Sequence, residues 1–213
     1  SFVYFPYCTG DVHTGDNIAE YTDGTTIKQH HHAGHANAKA FLKRIAATWP
    51  TPGKLVVSGS SAGGFGSFFN YDLFRSYYDA DDQQVYLLDD SGPPMIGDAI
   101  PSDYRDAWYL QWRLDKILDP LCGQACRADF SAGIPTLAAK YGADRMSLLS
   151  TTRDQTIRTY FQLSPDDFAV ELQKVTTTRI DPIERFRYFV IDSAMHTMVG
   201  HPQDFTQKDV TLL

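Results

Sequence analysis

Short apolar runs alternate along this chain with segments of helical period. Lys54-Leu55-Val56-Val57-Ser58-Gly59, Gln84-Val85-Tyr86-Leu87-Leu88, Met146-Ser147-Leu148-Leu149-Ser150 and Phe186-Arg187-Tyr188-Phe189-Val190-Ile191 each read as a buried strand. Phe2 to Tyr7 reads as a further strand, stopped by Pro6 and the polar Thr9-Gly10-Asp11, with a loop to about Gly24 and an extended segment from Thr25 to His31. Phe41, Leu42 and Ile45 share one face of a helix over Asn37 to Ala46 that ends near Trp49-Pro50. Further helices are predicted from Gly64 to about Tyr78, Asp103 to Leu118, Gln155 to Phe161 and Pro165 to Val175. Strands that alternate with helices and are apolar along their length predict a mainly parallel sheet with helices on both faces, an α/β class.

Length and composition narrow the function. A chain of 213 residues holds one sizeable core, and no repeat or linker divides it, so 1–213 reads as a single domain. Lys and Arg total 19 against 26 Asp and Glu, a formal charge of -7, which provides no basic footprint for nucleic acid. No apolar stretch is long enough for a membrane span, and Ser1 to Cys8 lacks the basic and apolar regions of a secretory signal. Of the three cysteines, Cys122 and Cys126 are spaced for a local bridge or stay as two thiols. Cys8 is left without a partner within the sequence.

The chemistry concentrates at Gly59-Ser60-Ser61-Ala62-Gly63-Gly64, a G-x-S-x-G between a predicted strand and a predicted helix. That is the context of a nucleophile elbow, where a sharp turn strains the serine's backbone and needs small residues two before and two after it, here Gly59 and Gly63. Ser61 is the nucleophile on this reading, and the N–H of Ala62, at a helix N-terminus, faces a developing oxyanion. The competing reading is a Gly-Ser turn without chemistry. A serine needs a histidine base and an orienting carboxylate, in the chain order Ser, Asp, His. His196, just past a strand end, is preferred over His201 in a polar stretch. The acid must end a strand between these two, which leaves Asp154, or Asp89 or Asp90 after Leu88; Asp154 follows the penultimate strand and is preferred over Asp90. Asp192 is too near His196 in sequence to reach round to its ring. The run His30-His31-His32 with His35 suggests a metal, but on a strand His31 opposes the other two, so a polar strand end is expected and no metal or cofactor. Tyr104, Trp108, Tyr109 and Trp112 either stack on sugar rings or line an acyl pocket, or belong to a helix core.

Pro6-Tyr7-Cys8-Thr9-Gly10-Asp11-Val12-His13, His32-Ala33-Gly34-His35-Ala36-Asn37, the elbow Gly59 to Gly64 and Leu88-Asp89-Asp90-Ser91-Gly92 together resemble the pectin acetylesterase family, in the family's order and from Tyr4 to about Gly200. The resemblance implies an α/β-hydrolase fold, a secreted or periplasmic protein, and a Ser-Asp-His triad without metal, carried here by Ser61, Asp154 and His196. A cap insertion is expected around 95–140. The family's Gly-rich oxyanion segment upstream of the Pro-Tyr-Cys motif has no counterpart, and the sequence therefore reads as a fragment lacking N- and C-terminal parts. The expected partner is an ester substrate, with acetylated polysaccharide such as pectin foremost and lipid, aryl or polyester substrates, or a non-catalytic binding protein of this fold, as alternatives.

Overall fold

The computed structural model describes residues 1–79 and 83–200. Its centre is a parallel sheet of β3 (Lys54–Ser60), β4 (Gln84–Asp90), β5 (Arg145–Thr151) and β6 (Phe186–Ile191), in that spatial order. One row across it runs Val57, Leu87, Met146, Phe186, each paired with the next. All four are buried and form the floor of the core. Because the strands are parallel and lie side by side in chain order, their C-terminal ends line one edge, the place where such sheets carry their chemistry.

Helix α2 (Ala62–Phe69) packs on this floor through Phe65, Phe68 and Phe69, and α3 (Tyr71–Tyr77) follows it. The single helix predicted over Gly64 to Tyr78 is divided at Asn70, whose Nδ2 donates to the carbonyls of Gly66 and His13 and whose Oδ1 lies 2.7 Å from His35 Nδ1. Likewise the predicted Asp103–Leu118 helix breaks where Arg113 adopts φ 62°, giving α4 (Ser102–Gln111) and α5 (Asp115–Ala128), the latter itself broken at Gly123. A disulfide joins Cys122 to Cys126, while Cys8 is free and exposed. Helix α6 (Gly133–Lys140) was not anticipated from sequence; α7 (Gln155–Tyr160) and α8 (Pro165–Val175) lie where expected and close the core with Ile157, Phe168, Leu172 and Val175. The opposite face of the sheet is less covered, with Val56 58% exposed.

Two expectations for the N-terminal segment change. Phe2–Tyr7 forms no strand: Phe2 is 88% exposed, and no neighbouring strand among the described residues takes up its backbone bonds. Phe5 is held edge-on to Phe41 and stacked on Phe74, and Tyr7 is held by the Val12 amide and the His13 ring. The extended segment near His31 pairs instead with β1 (Asn17–Thr22), inside the stretch read as loop, making an antiparallel hairpin with β2 (Ile27–His32). Helix α1 (Gly34–Thr48) then runs to Trp49 as predicted.

Candidate active site

At the end of β3 the chain turns into α2 through Ser61, which adopts φ 61°, ψ -122°. A side chain rarely occupies this region, since it costs on the order of 1–3 kcal/mol, and such outliers gather at active sites. Three main-chain bonds hold it there. Ser61 N–H donates to Asp90 O at 2.7 Å, and Ser61 O accepts from Gly64 and Phe65. A Cβ at Gly59 would collide with the main chain of Gly63, so the position two before the serine must be glycine. Gly63 itself has open space around its missing Cβ. The second tight position is Gly64, where a Cβ would meet Asp89 Oδ1 and the main chain of Asp90 and Gly92. The Ala62 N–H, in the first turn of α2, has no backbone acceptor among the described residues and faces outward from a positive helix end.

Asp154 and His196 come together across two strand ends. Asp154 follows β5, is fully buried and caps α7, its Oδ1 accepting the amides of Thr156 and Ile157 at 2.9 Å. His196, past β6, places Nδ1 2.8 Å from Asp154 Oδ2 and 3.0 Å from Oδ1. A carboxylate only accepts, so Nδ1 carries the proton and Nε2 keeps its lone pair, the tautomer of a general base. That Nε2 is buried and has no hydrogen-bond partner among the described residues. The segment before His196 is tied to the end of β5 by Thr151 Oγ1 to Met195 O at 2.7 Å, Arg153 N to Ser193 O and Gln155 N to Ala194 O. Asp192 pairs outward with Arg153 and Thr152. His201 lies outside the described residues.

Asp89 and Asp90 end β4 beneath the elbow. Burial pushes the Asp89 carboxyl up to about 8, opposed by the Gly92 amide and reinforced by the neighbouring Asp90 charge. An unfolded aspartate titrates near 4. Between about pH 4 and pH 8 the folded protein therefore holds a proton that the unfolded chain lacks, and stability falls as pH rises through that window and levels off above it. Asp89→Asn keeps an acceptor for the Gly92 amide at 2.8 Å and removes the titration. Thermal unfolding measured from pH 5 to 9 is expected to be flatter in Asp89→Asn than in the wild type; equal slopes would refute the assignment.

Two residues of the histidine run tie the hairpin to the N-terminal segment and to Tyr21. His30 Nε2 and His32 Nδ1 both lie about 3 Å from Thr9 O, and His32 Nε2 is 2.7 Å from Tyr21 OH. Among the described residues no three His, Cys, Asp or Glu side chains are grouped to hold a metal ion. Of the aromatic stretch, Trp108 stacks on Trp112 and Phe130, and Tyr109 is buried beside them. Tyr104 alone reaches a cavity of about 750 Å³ that His196 lines, opposite Gln155, Thr156, Thr159 and Tyr160. No carboxylate, ammonium or guanidinium is among its lining side chains.

Residues 2–99 match the family model of Pectinacetylesterase. No curated protein sequence matches the chain. Among solved structures, the Wnt deacylase Notum from Drosophila in crystal form I is 16% identical with a TM-score of 0.62 over 97% of this chain, and in crystal form II 17% identical with a TM-score of 0.57 over 87%. The chain spans 63% and 57% of the length of those two structures. At such identities the likeness is one of fold, and the fold is α/β-hydrolase-like. In sequence over residues 2–99, and in fold over nearly its whole length, the chain thus resembles the pectinacetylesterase family and its Notum-like relatives.

Proposed function

We propose that this chain is a serine carboxylesterase that hydrolyses short acyl esters, acetyl above all, within a single α/β-hydrolase domain whose 95–140 region forms a cap. The observation that carries the reading is Ser61 at φ 61° on the turn between β3 and α2, with a part-buried His196 bonded to the buried Asp154 at neighbouring strand ends. Ser61 Oγ attacks the ester carbonyl while His196 Nε2 takes its proton, and Asp154 orients the imidazole and offsets its charge. The oxyanion develops towards the Ala62 N–H. His196 then protonates the departing alcohol, leaving an acyl-serine. A water attacks that acyl group, giving its proton to His196, and the acid leaves as Ser61 recovers its hydrogen.

The cavity beside His196 supports an uncharged, hydroxyl-rich alcohol portion: Tyr104 and Tyr160 offer flat faces to a sugar ring, and Gln155, Thr156 and Thr159 offer hydrogen bonds. The family match makes acetylated polysaccharide the leading substrate. With a net charge of -7, the protein gains no long-range attraction to a pectin polyanion, so recognition would be local. The Cys122–Cys126 disulfide supports an oxidising compartment and a secreted protein, and no described helix is long and apolar enough to cross a membrane.

A fluorophosphonate is expected to modify Ser61 stoichiometrically in the native protein and not after heating. No modification would leave a non-catalytic protein of this fold. Acetate release from acetylated pectin and xylan, set against p-nitrophenyl esters of two to twelve carbons, tests the substrate. A rate maximum at long chains without acetate release would move the assignment to lipid or polyester.

A further inference from the structure

Asp90 grips the nucleophile turn and the histidine loop at once. Its main-chain carbonyl holds the Ser61 amide at 2.7 Å. Its side chain is fully buried, and one carboxylate oxygen accepts from Ser60 Oγ at 2.7 Å and from Val199 N at 3.0 Å. Met198 N donates to both oxygens, at 2.9 and 3.1 Å, and Ser91 Oγ lies 3.2 Å from Oδ1. Every partner is a backbone N–H or a hydroxyl, and no ion pair to it forms among the described residues. The bonds to Met198 and Val199 cross from β4 to the segment just beyond His196. Between His196 and Met198 stands Thr197 at φ 66°, a β-branched residue in a conformation that costs energy unless its surroundings impose it.

We propose that Asp90 is a positioning residue: it fixes the His196 loop relative to the Ser61 turn, so that Nε2, without a partner among the described residues, is placed to close on the serine hydroxyl when substrate binds. This rests on the esterase reading above. Asp154 touches the imidazole directly, whereas Asp90 acts through the backbone on the other side of the ring's residue. Its carboxylate is required because both oxygens receive N–H groups, and an asparagine would present a donor at one of them. A displacement of about 1 Å between reacting groups costs up to ~10²-fold in rate.

The test is Asp90→Asn, assayed with p-nitrophenyl acetate, with kcat normalised to the folded fraction read by circular dichroism so that only folded protein counts. A kcat lower by roughly 10- to 100-fold at a KM within about twofold is expected. In a His196→Ala background the same change is expected to leave the residual rate as it was, since Asp90 works through that histidine. Amide exchange at Met198 and Val199 is expected to speed up at least about tenfold as their acceptor weakens. Ser60→Ala removes one hydroxyl donor from Asp90 Oδ2 and leaves the buried carboxylate in place, and should lower kcat in the same non-additive way if Asp90→Asn does not fold. An unchanged kcat, an equal loss with and without His196, or unprotected Met198 and Val199 amides in the wild type would overturn the proposal. An inactive wild type with those amides protected would instead overturn the esterase reading alone.

Discussion

Ser61→Ala is expected to lower p-nitrophenyl acetate turnover by roughly 10⁴ to 10⁶, the loss that follows removal of a serine from such a triad. The size comes from the route. Without Oγ no acyl-enzyme forms, and His196 can only assist a water from the position it holds against Asp154. What remains is binding and whatever oxyanion stabilisation Ala62 and its neighbours supply, which in related chemistry leaves about 10³ to 10⁴ over water. The fold should not suffer, because alanine bears the φ of 61° no worse than serine does. Ser61→Gly goes further: glycine accepts that φ freely, so it should be inactive yet more stable by about 1 kcal/mol, after its larger unfolded-state entropy offsets part of the relieved strain. Circular dichroism melting beside the rate assay reads both effects. Retention of turnover in Ser61→Ala would end the serine mechanism.

The sheet was legible because its strands are apolar runs and their neighbours in space are their neighbours in sequence. β1 was not, since Asn17–Thr22 mixes Glu20 and Thr22 with exposed Ile18 and Tyr21, and a hairpin whose buried positions are Ala19 and His32 leaves no apolar pattern to read. Phe2–Tyr7 misled in the opposite sense: it is apolar, yet apolarity does not make a strand without a partner ladder. The helix breaks at Asn70 and Arg113 lie in side-chain bonds and backbone angles that periodicity does not encode. In the site, chain order and strand ends singled out Ser61, Asp154 and His196, and the structure places the last two in contact. Gly-x-Ser-x-Gly pointed to Gly59 and Gly63 as the tight positions; Gly59 is one, but the second falls on Gly64, against the β4 turn. Leu88-Asp89-Asp90-Ser91-Gly92 suggested an alternative acid, or local bonds to backbone amides, and carried part of the family resemblance. That one of its aspartates binds amides beyond His196 is a long-range contact, visible only once β4 and that loop are side by side.

Asp154→Asn is expected to lower kcat by about 10⁴ while KM and melting temperature hardly move. Asp154 receives three donors: the Thr156 and Ile157 amides on Oδ1, and His196 Nδ1 across both oxygens. Asparagine is as good a helix N-cap as aspartate, so its carbonyl keeps the two amides and α7 stays in place. Its NH₂ group then takes the Oδ2 position and points at Nδ1. Two donors cannot face each other there, so the imidazole carries its proton on Nε2 and presents a lone pair to the amide. In that tautomer Nε2 cannot accept the Ser61 proton. Asp90→Asn, by comparison, leaves the tautomer alone and should cost only the tenfold to hundredfold of a misplaced loop. The two variants measured side by side with p-nitrophenyl acetate separate the roles. A severe loss in Asp90→Asn with a mild one in Asp154→Asn, both folded, would exchange the acid for the positioning residue.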